Sequence, residues 1–330
     1  MCTCMKYCDA KTELQQHLKK KMLIPILGSG FSRGCSSRLG KVPSGIEYKE
    51  YMINEIVKLR GSDTSRSNRL EKKQFSEISM IYHKTIPLEK QRNYLKNNFT
   101  DVKLNDEKKK FLNIDWPYIY TLNIDDAIEK NSAFSNVVYS NRKIWDEIFD
   151  EEKCTIKLHG HVDDIIFYKD STCEIFDQHQ YVQSLQDNKI LLDKLKHDYE
   201  YLNLIYIGCG LSNEIDLISV AASARSNGSH YYCTISEPDE DELILLEEYG
   251  ITYCIIFDSY DEIYNEFVKT AEELDKIAPS ELDEYKTYHF SKLQEGFDEN
   301  KSFLFHGKNL ITNKRDVLLP DFFISREITD

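Results

Sequence analysis

Six apolar runs of five to seven residues set the frame for this chain: MLIPIL (22–27), PYIYTL (117–122), CTIKL (154–158), LNLIYIG (202–208), YYCTI (231–235) and ITYCIIF (251–257). They are β-branched or aromatic and nearly uniformly apolar, as strands covered on both faces must be. Helical patterns lie between them, for example IEYKEYMINEIVKL (46–59) and DELILLEEYG (241–250), the latter stopped by Gly250. Strand and helix in alternation predict an α/β fold built on a doubly wound parallel sheet. The intervals 61–110 and 161–200 are too long for simple crossovers, so both are expected as helical insertions over the carboxyl edge of the sheet. The charge run DEKKK (106–110) reads as a solvated face.

The 330 residues suit one large α/β domain with insertions, or two small ones. The expected division is an N-terminal segment (1–20), a ligand-binding catalytic domain (21–286) and a C-terminal appendage or connection to a partner (287–330), where the βα rhythm is lost. With 56 acidic against 42 basic residues, the net charge of −14 repels nucleic-acid phosphates and argues against direct nucleic-acid binding. The nine cysteines are odd in number and mostly isolated, and Cys154, Cys209, Cys233 and Cys254 sit in or just after apolar runs. That usage fits buried free thiols and a reducing cytoplasm. Cys2, Cys4 and Cys8 have no nearby fourth ligand and read as part of an incidental, frayed start. No secretory apolar region and no 18-residue apolar stretch is present, so no membrane role is expected.

Residues 22–34, MLIPILGSGFSRG, place three of the chain's 13 glycines directly after the first apolar run. A glycine-rich turn between a strand and a helix lets backbone N–H groups approach a phosphate at the positive end of a helix. The spacing is G-x-G-x-x-x-G, with Arg33 where the usual dinucleotide fingerprint has its third glycine, and a plain tight turn is the alternative. Three other runs also end in polar residues. PYIYTL leads into Asn123-Ile124-Asp125-Asp126, CTIKL into His159-Gly160-His161, and LIYIG into Cys209-Gly210-Leu211-Ser212-Asn213. Ligands of open parallel sheets bind outside the carboxyl ends of the strands, so these residues are expected to converge on one crevice. Asn123 or Asp125 as a helix cap, His159 as a structural histidine and 208–212 as a turn remain the plain alternatives.

Taken in order, GSGFS, TLNIDDAIE, KLHGH and YIGCGLSNEID resemble the motifs of the sirtuin superfamily, over roughly residues 20–260. The resemblance implies a Rossmann-like sheet and NAD⁺ as substrate. It implies that Asn123, Asp125 and His159 work at the nicotinamide ribose, that Gly28, Ser29, Gly30 and Ser32 meet the phosphates, and that Phe31 is among the cofactor-binding residues. Gly208, Gly210 and Ser212 would line the dinucleotide, with Glu237 near the adenosine end. His159 is expected as a base, a neutral imidazole near its ordinary pKa. Asn123 would position ribose or water, Asp125 would fix the ribose or orient its neighbours, His161 would play a supporting part and Asp126 would start a helix. Residues 161–200 hold Cys173, His179 and His197 but not the two Cys-x-x-Cys pairs of a zinc ribbon, so no zinc is expected.

The pattern is closer to sirtuin-like domains of bacterial anti-phage defence proteins. It implies an NAD⁺ hydrolase that cleaves the nicotinamide N-glycosidic bond to nicotinamide and ADP-ribose and depletes NAD⁺. A homo-oligomer, a partner sensor or a partner ATPase is implied with it. The alternatives are an NAD-dependent protein deacylase or ADP-ribosyltransferase, or a non-catalytic NAD-sensing assembly module.

Overall fold

The computed structural model describes residues 2–61, 64–139, 153–167, 185–186, 188–211 and 214–275. Residue contacts divide the chain into a unit of 1–271 and a unit of 272–330, and the architecture below is that of the first. The boundary expected at residue 287 lies outside the described residues.

Among the described residues, eight strands make one all-parallel sheet: β1 (Thr3–Lys6), β2 (Leu23–Leu27), β3 (Ile119–Thr121), β4 (Asn136–Tyr139), β5 (Cys154–Lys157), β6 (Asn203–Ile207), β7 (Tyr231–Thr234) and β8 (Tyr253–Ile256). Their spatial order is β1-β8-β7-β6-β2-β3-β5-β4. From β2 the chain winds outward through β3 to β4 at the edge, inserts β5 between them, returns to pair β6 with β2, and winds outward the other way to β8. The sheet is doubly wound and Rossmann-like, and its order reverses between β2 and β6, where open α/β sheets hold ligands.

All six apolar runs form strands. Every residue of β2, β3, β5 and β6 is buried, as a sheet covered on both faces requires. Pro25 sits inside the central strand β2 although it has no N–H to give. The β2–β3 pairing begins only at Ile26↔Tyr120, one residue later, while β6 pairs along all of β2.

The helices are α1 (Tyr7–Lys19), α2 (Ser29–Ser32), α3 (Gly45–Arg60), α4 (Thr64–Glu71), α5 (Phe75–Thr85), α6 (Leu88–Phe99), α7 (Asp106–Leu112), α8 (Ala127–Asn131), α9 (Val162–Phe167), α10 (Lys189–Tyr201), α11 (Ile215–Ser223), α12 (Glu240–Glu248) and α13 (Tyr260–Asp275). Reciprocal Ser44/Glu47 and Asp239/Glu242 capping boxes start α3 and α12. Between β2 and β3, α3 packs on α5, and α6 packs on α9 just beyond the end of β5. Tyrosines knit this helical layer together: Tyr51 stacks on Tyr94 at 3.6 Å between ring centres, with Tyr48 and Tyr82 beside them.

Three expectations need correction. The start of the chain is not frayed: Thr3–Lys6 forms β1, paired in parallel with β8 in the register Thr3↔Tyr253 to Lys6↔Ile256. Cys2 and Tyr7 are buried beside it. Strand β4, on the opposite edge, has no counterpart among the six runs, and its residues are mostly only half-buried. Lastly, DEKKK is not wholly a solvated face. It lies in α7, and Lys108 is buried with its ammonium 5.7 Å from the ring centres of both Phe31 and Tyr264.

Candidate active site

The first strand-end turn, 28–32, locks against the turn that follows β6. Gly28 N–H donates to Ile207 O at 3.0 Å and Gly30 N–H to Gly208 O at 2.9 Å. A Cβ on Gly28 would stand 2.5 Å from Gly208 O, and one on Gly30 would stand 2.8 Å from Gly208 Cα. Gly208 itself has φ +66°, in the left-handed region that suits glycine. These glycines therefore serve the close approach of two backbones at the switch point. The Gly28 and Gly30 N–H groups are both bonded to β6 and its turn.

The Phe31 N–H donates to Gly28 O, and its side chain is fully buried, edge-on to Tyr264 at 5.7 Å. Ser29 and Gly210 are exposed on the rim of the two turns. Glu237 is exposed three residues beyond β7. Ser212 lies outside the described residues, as do Cys173 and His179.

The second strand end is built around Ser32. Its hydroxyl donates to Asp125 Oδ2 at 2.6 Å and accepts from Asn123 Nδ2 at 3.1 Å. Asn123 Nδ2 also donates to Gly28 O at 3.0 Å, and Asn123 N–H to Thr121 Oγ1 at 3.0 Å. Thus the structure brings Gly28, Ser32, Asn123 and Asp125 together. Asp125 is buried, and its Oδ1 accepts from Ala127 N–H at the start of α8. Burial pushes its carboxyl above the usual range against the opposing pull of Lys157, Ser32 and Ala127. Asp126 faces elsewhere, accepting from Asp101 and Val102 N–H at 2.7 and 2.9 Å.

Beneath this turn lies a cation that sequence reading missed. Lys157, the last residue of β5, has no exposed side-chain surface. Its ammonium donates to the carbonyls of Ile124 and Asp125 and pairs with Glu129 at 2.8 Å. Glu129 also meets His161 Nε2 at 2.9 Å. Although burial alone would raise the Glu129 pKa, Lys157 and His161 hold it down at about 2. His161 thus has a supporting place, with Nδ1 accepting from Asp163 N–H at 3.0 Å.

The third strand end carries His159, 6% exposed. Its Nε2 lies 3.0 Å from Asp216 Oδ2 and 3.4 Å from Glu214 Oε2, both supplied by the opening of α11. Burial would lower the histidine's pKa, but the two carboxylates outweigh it and raise it to about 9. The two acids thus hold the imidazole above its ordinary pKa. Neither acid was singled out in the sequence. The available signal was an E-x-D pair opening a helix after a glycine turn, within a motif already noted.

Residues 117–254 match the model of a family described as the SIR2-like domain. This stretch is similar to a SIR2-like domain. It contains Asn123, Asp125, His159, Glu214 and Asp216, whereas the Gly28–Gly34 turn precedes it. The match supports an NAD-related, sirtuin-type function for the stretch. No curated protein matches the chain.

Solved structures similar to this chain include one described as "Structural Basis for the Mechanism and Regulation of Sir2 Enzymes", at 13% identity and TM-score 0.40 over 82% of this chain and 100% of that one. Another is a Sir2 histidine-to-alanine variant with a deacetylated p53 peptide and 3′-O-acetyl ADP-ribose, at 14% identity and TM-score 0.43 over 80% of this chain and 98% of the other. No helix among the described residues is long and apolar enough to cross a membrane.

Proposed function

We propose that this chain binds NAD⁺ at the β2/β6 switch point and hydrolyses its nicotinamide N-glycosidic bond to nicotinamide and ADP-ribose. The observation that carries the reading is the convergence, at neighbouring strand ends, of Asn123 and Asp125 tied to Ser32 with His159 tied to Asp216 and Glu214. Breaking this bond builds positive charge on the ribose ring. One imidazole and two carboxylates together carry net negative charge whatever the state of the imidazole, which stabilises such a ring in a site of low dielectric.

In this reading Asn123 is the polar group offered to the ribose or the attacking water, since it is the half-buried member of its cluster. Asp125 acts as a positioning residue through Ser32. Exposed Ser29 and Gly210 are the rim residues nearest to hand for the pyrophosphate, and Glu237 is assigned to the adenosine end. The physiological consequence we assign is NAD⁺ depletion in anti-phage defence, with activity controlled by assembly with itself or with a sensor or ATPase partner.

The test is chromatography of nicotinamide and ADP-ribose released from NAD⁺ by the purified full chain, alone and with candidate partners. Asn123→Ala and His159→Ala should each cost about 10²-fold or more in rate while circular dichroism stays native. Native rates in both folded variants would refute the assignment. Product that appears only with an acylated peptide would favour a deacylase instead.

A further inference from the structure

We propose that His159, Glu214 and Asp216 form a binding site for a divalent ion of the Mn²⁺ class, and that the ion holds the enzyme inactive. The three residues offer one imidazole nitrogen and two carboxylate oxygens, all within 4.8 Å of one another. They come from two elements, the end of β5 and the opening of α11, so the fold and not local sequence assembles them.

The spacing suits a metal. With bonds of about 2.1 Å, neighbouring ligand atoms stand about 3.0 Å apart around an octahedral ion and about 3.4 Å apart around a tetrahedral one. His159 Nε2 lies 3.0 Å from Asp216 Oδ2 and 3.4 Å from Glu214 Oε2. An ion can therefore enter among these atoms with little rearrangement. Asp216 is oriented for it, because its other oxygen accepts Leu217 N–H at 3.1 Å, the kind of outer contact that fixes a ligating carboxylate.

Charge and donor type point the same way. Two carboxylates and a neutral imidazole around a divalent cation leave no net charge in a buried cluster, which removes the cost of burying an unbalanced one. A nitrogen and two carboxylate oxygens with further positions open is a donor set for Mn²⁺, Fe²⁺ or Zn²⁺, whereas Mg²⁺ and Ca²⁺ favour oxygen alone. A divalent ion held by this cluster cancels the net negative charge that the proposed hydrolysis uses to stabilise the ribose. The inhibitory half of the inference rests on that reading; the binding half does not.

Mn²⁺ is the probe, since it has little affinity for the nine thiols of the chain. The full chain, stripped with chelator, is titrated at neutral pH while the six-line electron paramagnetic resonance signal of free Mn²⁺ is recorded. One equivalent should bind. Glu214→Gln and Asp216→Asn should each weaken it at least tenfold, whereas Asn123→Ala should bind as the native chain does. Circular dichroism checks the fold, and the partly exposed position of Glu214 keeps that variant informative if Asp216→Asn does not fold. In parallel, NAD⁺ turnover should fall at least tenfold over the same Mn²⁺ range. Failure of the native chain to deplete free Mn²⁺ at millimolar concentration, or native affinity in folded Glu214→Gln, overturns the site. Stoichiometric Mn²⁺ binding with turnover undiminished overturns the inhibition alone. A chain that binds Mn²⁺ through Glu214 but never consumes NAD⁺ overturns the hydrolase reading and leaves the metal site standing.

Discussion

Lys157 is the residue on which the turn bearing Asn123 and Asp125 rests, for it holds two carbonyls of that turn and neutralises Glu129. Lys157→Met keeps most of the volume but strands a buried carboxylate. Loss of one partner from a buried pair typically costs about 3–5 kcal/mol. We expect the urea midpoint to fall accordingly, with Lys157→Met/Glu129→Gln recovering part of the loss in a double-mutant cycle. An unchanged midpoint would show that the ammonium is dispensable. In the sequence Lys157 sits inside the apolar run CTIKL, with nothing there to mark it as a buried cation. Its burial follows from what α8 brings over it, and α8 lies nearly thirty residues earlier in the chain.

At the scale of elements, the two interlocked turns make a sharp prediction. Gly28→Ala must displace the Gly208–Cys209 backbone, because the new methyl would stand 2.5 Å from Gly208 O. We expect a loss of at least about 2 kcal/mol in thermal or urea unfolding, together with loss of NAD⁺ turnover. Gly45→Ala, in the first turn of α3 with open space around it, is the contrast and should be neutral or stabilising by up to about 1 kcal/mol. If both variants unfold alike, the turns are not locked as described.

The glycines were legible as a special place, but their work was not, since it depends on a partner turn some 180 residues away. The six apolar runs announced the buried strands because both faces of each are covered. Strands β1 and β4 went unread because each is an edge strand with little buried surface. In the site, the strand-end polar residues could be read, while Glu214 and Asp216 could not: their role appears only when α11 is folded back over the end of β5.

For the molecule as a whole, buried titrating groups set the response to acid in two stages. His230 is fully buried, with Nδ1 accepting Leu204 N–H at 3.2 Å and Nε2 facing Ser226 Oγ at 2.9 Å. Burial lowers its pKa from 6.5 to about 4. The imidazole is neutral in the fold and protonated in the unfolded chain below about 6.5, so stability is full above that pH and drains away as the pH falls toward 4. The shift is worth about 3 kcal/mol. Urea unfolding from pH 7 to 4 should show this slope, and His230→Asn should flatten it; an equal slope in the variant would assign it elsewhere. Below pH 4 a second loss begins. Burial would raise Asp198, but Lys194, with further donors including Tyr118, holds it at about 2, and Glu129 also sits at about 2. Depressed carboxylates such as these contribute stability that disappears as they take up protons. The chain's earliest strand also governs when any of this stability can exist. Among the described residues, 3–6 pair with 253–256 alone, so during synthesis they must wait for some 250 residues to be added. Until β8 emerges, that flank of the sheet stays an uncovered template, closed only when two segments about 250 residues apart meet.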